Sequence, residues 1–352
     1  GFEFRRRRGG RAGVSGGCYG SAEMGETGDN AHGLTLTFLG SGTSAGVPMI
    51  GCGCKGCRSD DPRDKRGRPS ALVRWPDGSI PATEPNRRAF RFNREQAGAR
   101  QVLIDSGPDM REQAMRHGLS RLDAVMYTHA HADHVMGTDD LRRFNAAMEA
   151  PLDVYGEPST LETLRHMFRY IFEPERNPNK TFIARLIAHT MAPGEPLELF
   201  GATWTPVRLM HGRLPIVGLR VDFGGASIAY CTDVSTVPPE SWAPLSGLDV
   251  VVLDGLRFRH HPTHMTVDRA CEVAAELGAR RAYLTHISHD IVHADVEPTL
   301  PEGVRLAYDG LTVDAGTLAE WDVVSRPVAV CETGLDGAPV DLPDRAVLND
   351  PR

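Results

Sequence analysis

Residues 126–137 read MYTHAHADHVMG. Inside this stretch His129, His131, Asp133 and His134 form H-x-H-x-D-H, three imidazoles and one carboxylate in six residues. The preceding LDAV is apolar, so the cluster begins where a buried strand ends. A loop turning there can aim neighbouring side chains at two adjacent points. His129 and His131 then share one metal ion, and Asp133 with His134 reaches a second. Neutral imidazole suits Zn, Mn or Fe, and a carboxylate hardens the site. The plain alternative is a solvent-exposed His-rich loop. It is disfavoured because further ligand candidates close later apolar runs: His211 after ATWTPVRLM, Asp233 in SIAYCTD and His286 after RAYLT. A lone polar residue at a strand end is usually a cap, but three of them behind this loop form a set. Asp233 has two carboxylate oxygens, enough to bridge two ions ~3.5–4 Å apart.

The rest of the chain narrows the class. Its 352 residues are 41% hydrophobic, enough for a large core, and the net charge of -7 argues against a general polyanion binder such as a nucleic-acid partner. No apolar run approaches the ~18 residues of a membrane span, and GFEFRRRRGGRAG has no apolar segment after its arginines, so neither membrane nor secretion is expected. Of seven cysteines, three fall at 52, 54 and 57, and the others are scattered. That is no disulfide framework, and it points to a reducing, cytoplasmic setting. CGCKGC offers three thiolates on a glycine-punctuated loop, one short of a tetrahedral zinc site. His289, three residues past His286, is the natural fourth ligand.

Residues 1–33 are Gly-rich with an Arg5–Arg8 run and read as a disordered tail, with Met24 as the expected natural start. LTLTFLG, ALVRW and QVLID read as strands. The polar, Pro-rich stretch 76–100 between the last two reads as an insertion at a hairpin tip. PDMREQAMRHG, DDLRRFNAAMEA, PSTLETLRHMFRYIF and TVDRACEVAAELG read as helices, and LDVYG, IVGLRVDFG, SIAYCTD, VVVLDG and RAYLTH as strands. Residues 317–352 read as a loosely attached extension, leaving 34–316 as one catalytic domain. Short hairpins followed by alternating strand and helix predict an α/β (α+β) chain of stacked sheets covered by helices.

GSGTSAGVP, THAHADH, HG, YCTD and LTHISH, in this order, resemble the metallo-β-lactamase superfamily. GVPMIGCGCKGC with HPTH and LTHISH resembles its PhnP-like branch, phosphodiesterases that open phosphoribosyl 1,2-cyclic phosphate. The resemblance covers about residues 34–315. It implies an αββα sandwich of two mixed sheets flanked by helices. It implies one ion on His129, His131, His211 and Asp233, and a second on Asp133, His134, Asp233 and His286. It also supports a structural zinc on Cys52, Cys54, Cys57 and His289. It makes His264, in HHPTHM, the candidate general acid or the group that orients the phosphate, and Asp133 is counted beside it as catalytic. Asp105 in LIDSG is read as either a partner of a ligand or a plain turn residue. His260 and His261 are read as loop histidines. GSGTSAGVP is read as a turn, since no phosphate-binding G-x-x-x-x-G-K-[ST] is present. The stretch 166–195, with Arg169, Arg176, Lys180 and Arg185, is either a basic lid over the metals or an ordinary packed helix.

The expectation is therefore a metal-dependent phosphoric diester hydrolase with two active-site divalent ions (Zn or Mn) and one structural Zn. Its partner is a small phosphate-ester substrate, and the resemblance adds homodimerisation. Two alternatives stay open: a tRNA 3′-processing type of RNase, for which the insertion is short and no long Gly-Pro-rich arm is seen, although it holds Arg87, Arg88, Arg91, Arg94 and Arg100, and thiolester or lactam hydrolysis on the same fold. A non-catalytic metal scaffold is disfavoured by the complete ligand set.

Overall fold

The computed structural model describes residues 33–80, 98–173, 175 and 182–322. The tail 1–32, most of the insertion and the end of the chain lie outside them, as do Cys18 and Cys331. Two mixed sheets make up the described fold. The first runs β15-β14-β1-β2-β3-β4-β5-β6, from β1 (Thr35–Gly40), β2 (Ser70–Pro76), β3 (Ala99–Ile104), β4 (Ala124–Met126), β5 (Leu152–Gly156), β6 (Leu186–Thr190), β14 (Leu311–Asp314) and β15 (Glu320–Asp322). The second runs β13-β12-β11-β10-β9-β8-β7, from β7 (Leu197–Leu199), β8 (Ala202–His211), β9 (Leu214–Phe223), β10 (Ala226–Cys231), β11 (Val250–Asp254), β12 (Arg281–Thr285) and β13 (Val304–Leu306). The helices are α1 (Lys55–Arg58), α2 (Met110–Arg116), α3 (Ala132–Val135), α4 (Arg142–Met148), α5 (Pro158–Met167), α6 (Arg169–Phe172), α7 (Trp242–Leu245), α8 (Val267–Leu277) and α9 (His293–Val296).

Side-chain alternation puts each sheet between two cores. Val73 and Trp75 of β2, Val102 and Ile104 of β3, and Ala124 and Met126 of β4 face Trp204, Leu219, Ile228, Tyr230 and Val252 of the other sheet. Trp75 and Trp204 meet there with ring centroids 6.0 Å apart. The residues between them, Leu72, Leu103 and Val125, turn outward under α2, α4 and α5. Ala229, Val251, Leu253 and Leu284 turn outward under α8. Helix α8 buries Val267, Ala270, Val273, Ala274 and Leu277 on one stripe, starts at an N-cap Thr266 whose side chain accepts from Arg269 N, and stops at Gly278 with φ 66°. The result is the helix–sheet–sheet–helix sandwich that the resemblance implied, with the stacked, helix-covered sheets that the residues led one to expect.

Three local expectations change. The run from Pro158 to Phe172 is two helices, broken at Phe168 (φ -112°, ψ 46°), whose ring is drawn into the outer core. The stretch 166–195, read as a lid or a helix, carries β6, which pairs in parallel with β5. Its residues 174 and 176–181 are outside the described part. Glu320–Asp322 pair with β14, so the sheet continues past residue 316 into the supposed extension. No helix of the described residues is long and apolar enough to cross a membrane.

His117, at the end of α2, is 2% exposed, and among the described residues neither ring nitrogen has a hydrogen-bond partner. Burial, helped by the nearby charges of Arg74 and Arg116, drives it down to about 4. The folded ring binds its proton less readily than the unfolded one. Stability is therefore unaffected above the ordinary value of 6.5, falls as pH drops from 6.5 to about 4, and levels below that. The loss approaches about 3 kcal/mol for this group. Urea unfolding of wild type and His117→Leu across that window is expected to shift by this amount in the variant's favour, whereas parallel curves would remove the argument.

Candidate metal centre

Strands β3 and β4 are parallel neighbours, as are β10, β11 and β12. Their C-terminal ends carry Asp105, the His129–His134 loop, Asp233, Asp254 and His286. Ligand-bearing loops in α/β sheets gather at such ends because the strands there stop pairing and the backbone is free to turn. Asp105, Asp233 and His286 all have φ in the left-handed region, at 60°, 59° and 58°. Asp and His are among the side chains that tolerate this conformation, and it is concentrated at functional sites. Here it redirects each side chain out of the sheet's alternation.

The first loop is clamped by Asp105. Its Oδ1 accepts from Thr128 N at 2.8 Å, and its Oδ2 accepts from Thr128 Oγ1 at 2.8 Å and from His134 Nδ1 at 2.7 Å. Asp105 is fully buried, so it touches and orients a ligand candidate instead of serving as a turn residue alone. Gly107 is required beside it: a Cβ there would lie 2.1 Å from the Asp133 carbonyl oxygen.

Potential ligand atoms lie within 4.8 Å of one another in two main groups, His129, His131 and His211, and Asp133, His134, Asp233 and His286, while His264 falls in two more, with His211 and Asp233 and with Asp254 and His286. Asp233 stands between the two main groups. Its Oδ1 is 3.2 Å from His134 Nε2, and its Oδ2 is 3.3 Å from His286 Nε2 and 3.9 Å from His129 Nε2. Asp133 Oδ2 lies 3.4 Å and 3.6 Å from the Nε2 atoms of His134 and His286. His211 is turned by its Nδ1, which donates to the Thr263 carbonyl at 2.8 Å.

The donor set fits divalent cations. Among the described residues, Asp133 Oδ2 and the Nε2 atoms of His134 and His286 are buried without a hydrogen-bond partner, and they converge on Asp233. Four carboxyl groups, of Asp105, Asp133, Asp233 and Asp254, are buried at these strand ends, and buried carboxylates call for compensating positive charge. Burial holds His129, His131 and His211 below the ordinary imidazole value, so they are neutral and able to ligate. Burial opposes charge on Asp233 too, but the imidazoles of His286 and His134 outweigh it and hold the carboxyl well below its usual range.

His264 sits at the edge of both groups. Its Nδ1 is 2.5 Å from Asp254 Oδ2, and its ring stacks on His286 at 4.5 Å and 14°. Burial pushes His264 down to about 4 and Asp254 well up, so the pair holds one proton between nitrogen and oxygen. Sequence reasoning missed Asp254. Its one signal was a charged residue ending a strand that is otherwise wholly apolar. It also missed Thr263, which acts through a carbonyl that any residue possesses.

A second cluster lies apart. Cys52, Cys54, Cys57 and His289 place their ligand atoms within 4.8 Å, with Cys52 Sγ and Cys54 Sγ 3.3 Å and 3.2 Å from His289 Nδ1. The Cys57 backbone N–H, followed by His289, lowers Cys54 to about 6, whereas burial raises Cys57. Gly56 permits the approach, since a Cβ there would meet the His289 carbonyl oxygen at 2.4 Å. Three thiols and one imidazole match a closed zinc site. The cluster joins the loop after β1 to the loop that carries His286. Cys231 is buried and Cys271 partly so, and neither belongs to the cluster.

Comparison with known proteins agrees with this architecture. The model of the β-lactamase superfamily domain matches residues 100–287. The crystal structure of a new diphosphatase from the PhnP family superimposes with a TM-score of 0.66 at 41% identity, covering 80% of this chain and 97% of that one. An octanoyltransferase of Porphyromonas gingivalis (strain ATCC BAA-308 / W83) is 36% identical over 280 residues, 79% of this chain and 51% of that protein. The chain thus spans about half of that relative's length. Ribonuclease Z of Mycobacterium marinum (strain ATCC BAA-535 / M) is 29% identical over 224 residues, 54% of this chain and 77% of that protein.

Proposed function

The chain belongs to the β-lactamase superfamily, in its PhnP family, and from that premise we propose that this hydrolase cleaves small phosphate diesters, with a ribose cyclic phosphate as the substrate type. The observation that carries the reading is Asp233, buried with one oxygen toward His134 and the other toward His286 and His129. In this reading His129, His131, His211 and Asp233 hold one divalent ion, and Asp133, His134, Asp233 and His286 hold another. When bound, such ions acidify water and neutralise phosphoryl oxygens.

The remaining steps belong to the chain's own residues. Asp105 and Thr263 keep the rings of His134 and His211 aimed. Asp254 shares a proton with His264 Nδ1, so Nε2 can pass its proton to the departing oxygen as the shared proton moves onto Nδ1 and leaves the Asp254 carboxylate behind. An alkoxide leaving group needs that proton, and a donor built this carefully favours an ester over an anhydride. The 41% identity to a diphosphatase supports phosphorus over an acyl carbon as the electrophile. Cys52, Cys54, Cys57 and His289 would hold a structural zinc, whose place is to brace the His286 loop outside the reaction.

The test pairs metal content with hydrolysis of bis(p-nitrophenyl) phosphate. About three metals per chain are expected, with Cys54→Ser losing one while retaining part of the rate. A metal-loaded protein that leaves phosphodiesters intact but opens thiolesters would overturn the proposal. Cleavage of RNA with a steep salt dependence would move the assignment to the nuclease reading.

A further inference from the structure

His260 and His261 look alike in sequence, but the fold separates them. His260 is exposed, and its carbonyl oxygen braces Arg257 Nη2. His261 extends a row of imidazoles that begins inside the candidate metal centre. His286 stacks on His264 at 4.5 Å, and His264 meets His261 at 4.9 Å with the rings inclined by 49°. The Thr263 backbone N–H donates to His261 Nδ1 at 3.4 Å, and Thr263 Oγ1 lies 3.2 Å from the same atom. An Nδ1 that accepts leaves Nε2 protonated as a donor. Among the described residues that nitrogen has no protein partner, and His261 is part-exposed.

We propose that His261 is a specificity-determining residue: its Nε2–H donates to an oxygen on the leaving-group side of the substrate, the ribose portion of a sugar cyclic phosphate. The inference rests on the phosphodiesterase reading, because His264 is the proton donor there and the departing oxygen must lie beside it. Whatever is attached to that oxygen passes next over His261, the neighbouring ring of the row. The position is rigid. Thr263 anchors His261 by its N–H and hydroxyl while its carbonyl holds His211, and Arg257 ties the loop by donating to the carbonyls of Arg259 and His260.

The test is steady-state kinetics of the metal-loaded full chain on phosphoribosyl 1,2-cyclic phosphate and on bis(p-nitrophenyl) phosphate. For His261→Ala, KM for the ribose diester is expected to rise roughly fivefold to tenfold, with kcat within about twofold. The aryl diester, which offers no hydroxyl there, is affected less. His261→Gln, whose amide N–H can stand near Nε2, recovers most of the KM, and His260→Ala changes nothing. Metal content stays that of wild type in every variant. An unchanged KM, an equal rise on both esters, or a fall in kcat that Gln does not repair would overturn the proposal. A wild type that cleaves neither ester removes the phosphodiesterase reading and this inference together. A wild type that cleaves them with His261→Ala unaffected removes this inference alone.

Discussion

Asp233→Asn is expected to lower kcat/KM by about 10³-fold, roughly 4 kcal/mol of lost transition-state stabilisation, and to release metal from both ligand groups. The two oxygens of Asp233 face different imidazoles, Oδ1 toward His134 and Oδ2 toward His286 and His129. An amide keeps the shape but removes the charge and replaces one oxygen with a donor, so one of the two groups must face an N–H. Asparagine is the informative substitution because position 233 has φ 59°. Asn tolerates the left-handed region as readily as Asp, whereas Ala would add backbone strain to the electrostatic loss. Metal analysis alongside the kinetics, with circular dichroism to verify the fold, checks the prediction. A folded Asn variant that retains full metal and wild-type turnover would refute the bridging assignment.

The second large effect separates proton delivery from metal binding. His264→Ala should lower kcat by 10²–10⁴-fold on the ribose cyclic phosphate, the usual range for a positioned general acid, with metal content unchanged. On bis(p-nitrophenyl) phosphate the loss should be far smaller, because p-nitrophenolate departs without a proton. Asp254→Asn should show the same substrate pattern at a smaller size. Its carboxylate reaches the reaction only through His264 Nδ1, and groups that orient a reacting residue commonly contribute 10–100-fold. Equal losses on both substrates would mean that His264 holds the site together and is not the proton donor.

The legible and illegible parts of this site differ in how far apart in the chain their causes lie. THAHADH is local: four metal-capable side chains share one loop, and their spacing alone suggests two groups. His211, Asp233 and His286 are readable because each ends an apolar run, where strand alternation gives way to a polar residue. Asp254 ends an apolar run as well. Its importance comes from the parallel pairing of β11 with β12 and from a loop that returns His264 ten residues later to meet it. Thr263 acts through its backbone, and backbone acceptors leave no mark in residue identity. Strand β6 was missed because it is an edge strand with no buried residue, three being part-exposed and two exposed, so neither its periodicity nor its hydrophobicity stood out.

By itself the sequence determined the chemistry available: which imidazoles, carboxylates and thiols there are, and that most of them stand at strand ends. Only the tertiary structure decided which of them meet. Cys52 and His289 are 237 residues apart in the chain, and Asp233 lies 99 residues or more from His134 and His129. What joins them is the stacking of two sheets and the register of their parallel strands. Those are set by the burial of side chains such as Trp75, Trp204 and Tyr230 between the sheets. The same packing distinguishes His261 from His260, neighbours of identical type, by placing one against His264 and leaving the other in solvent.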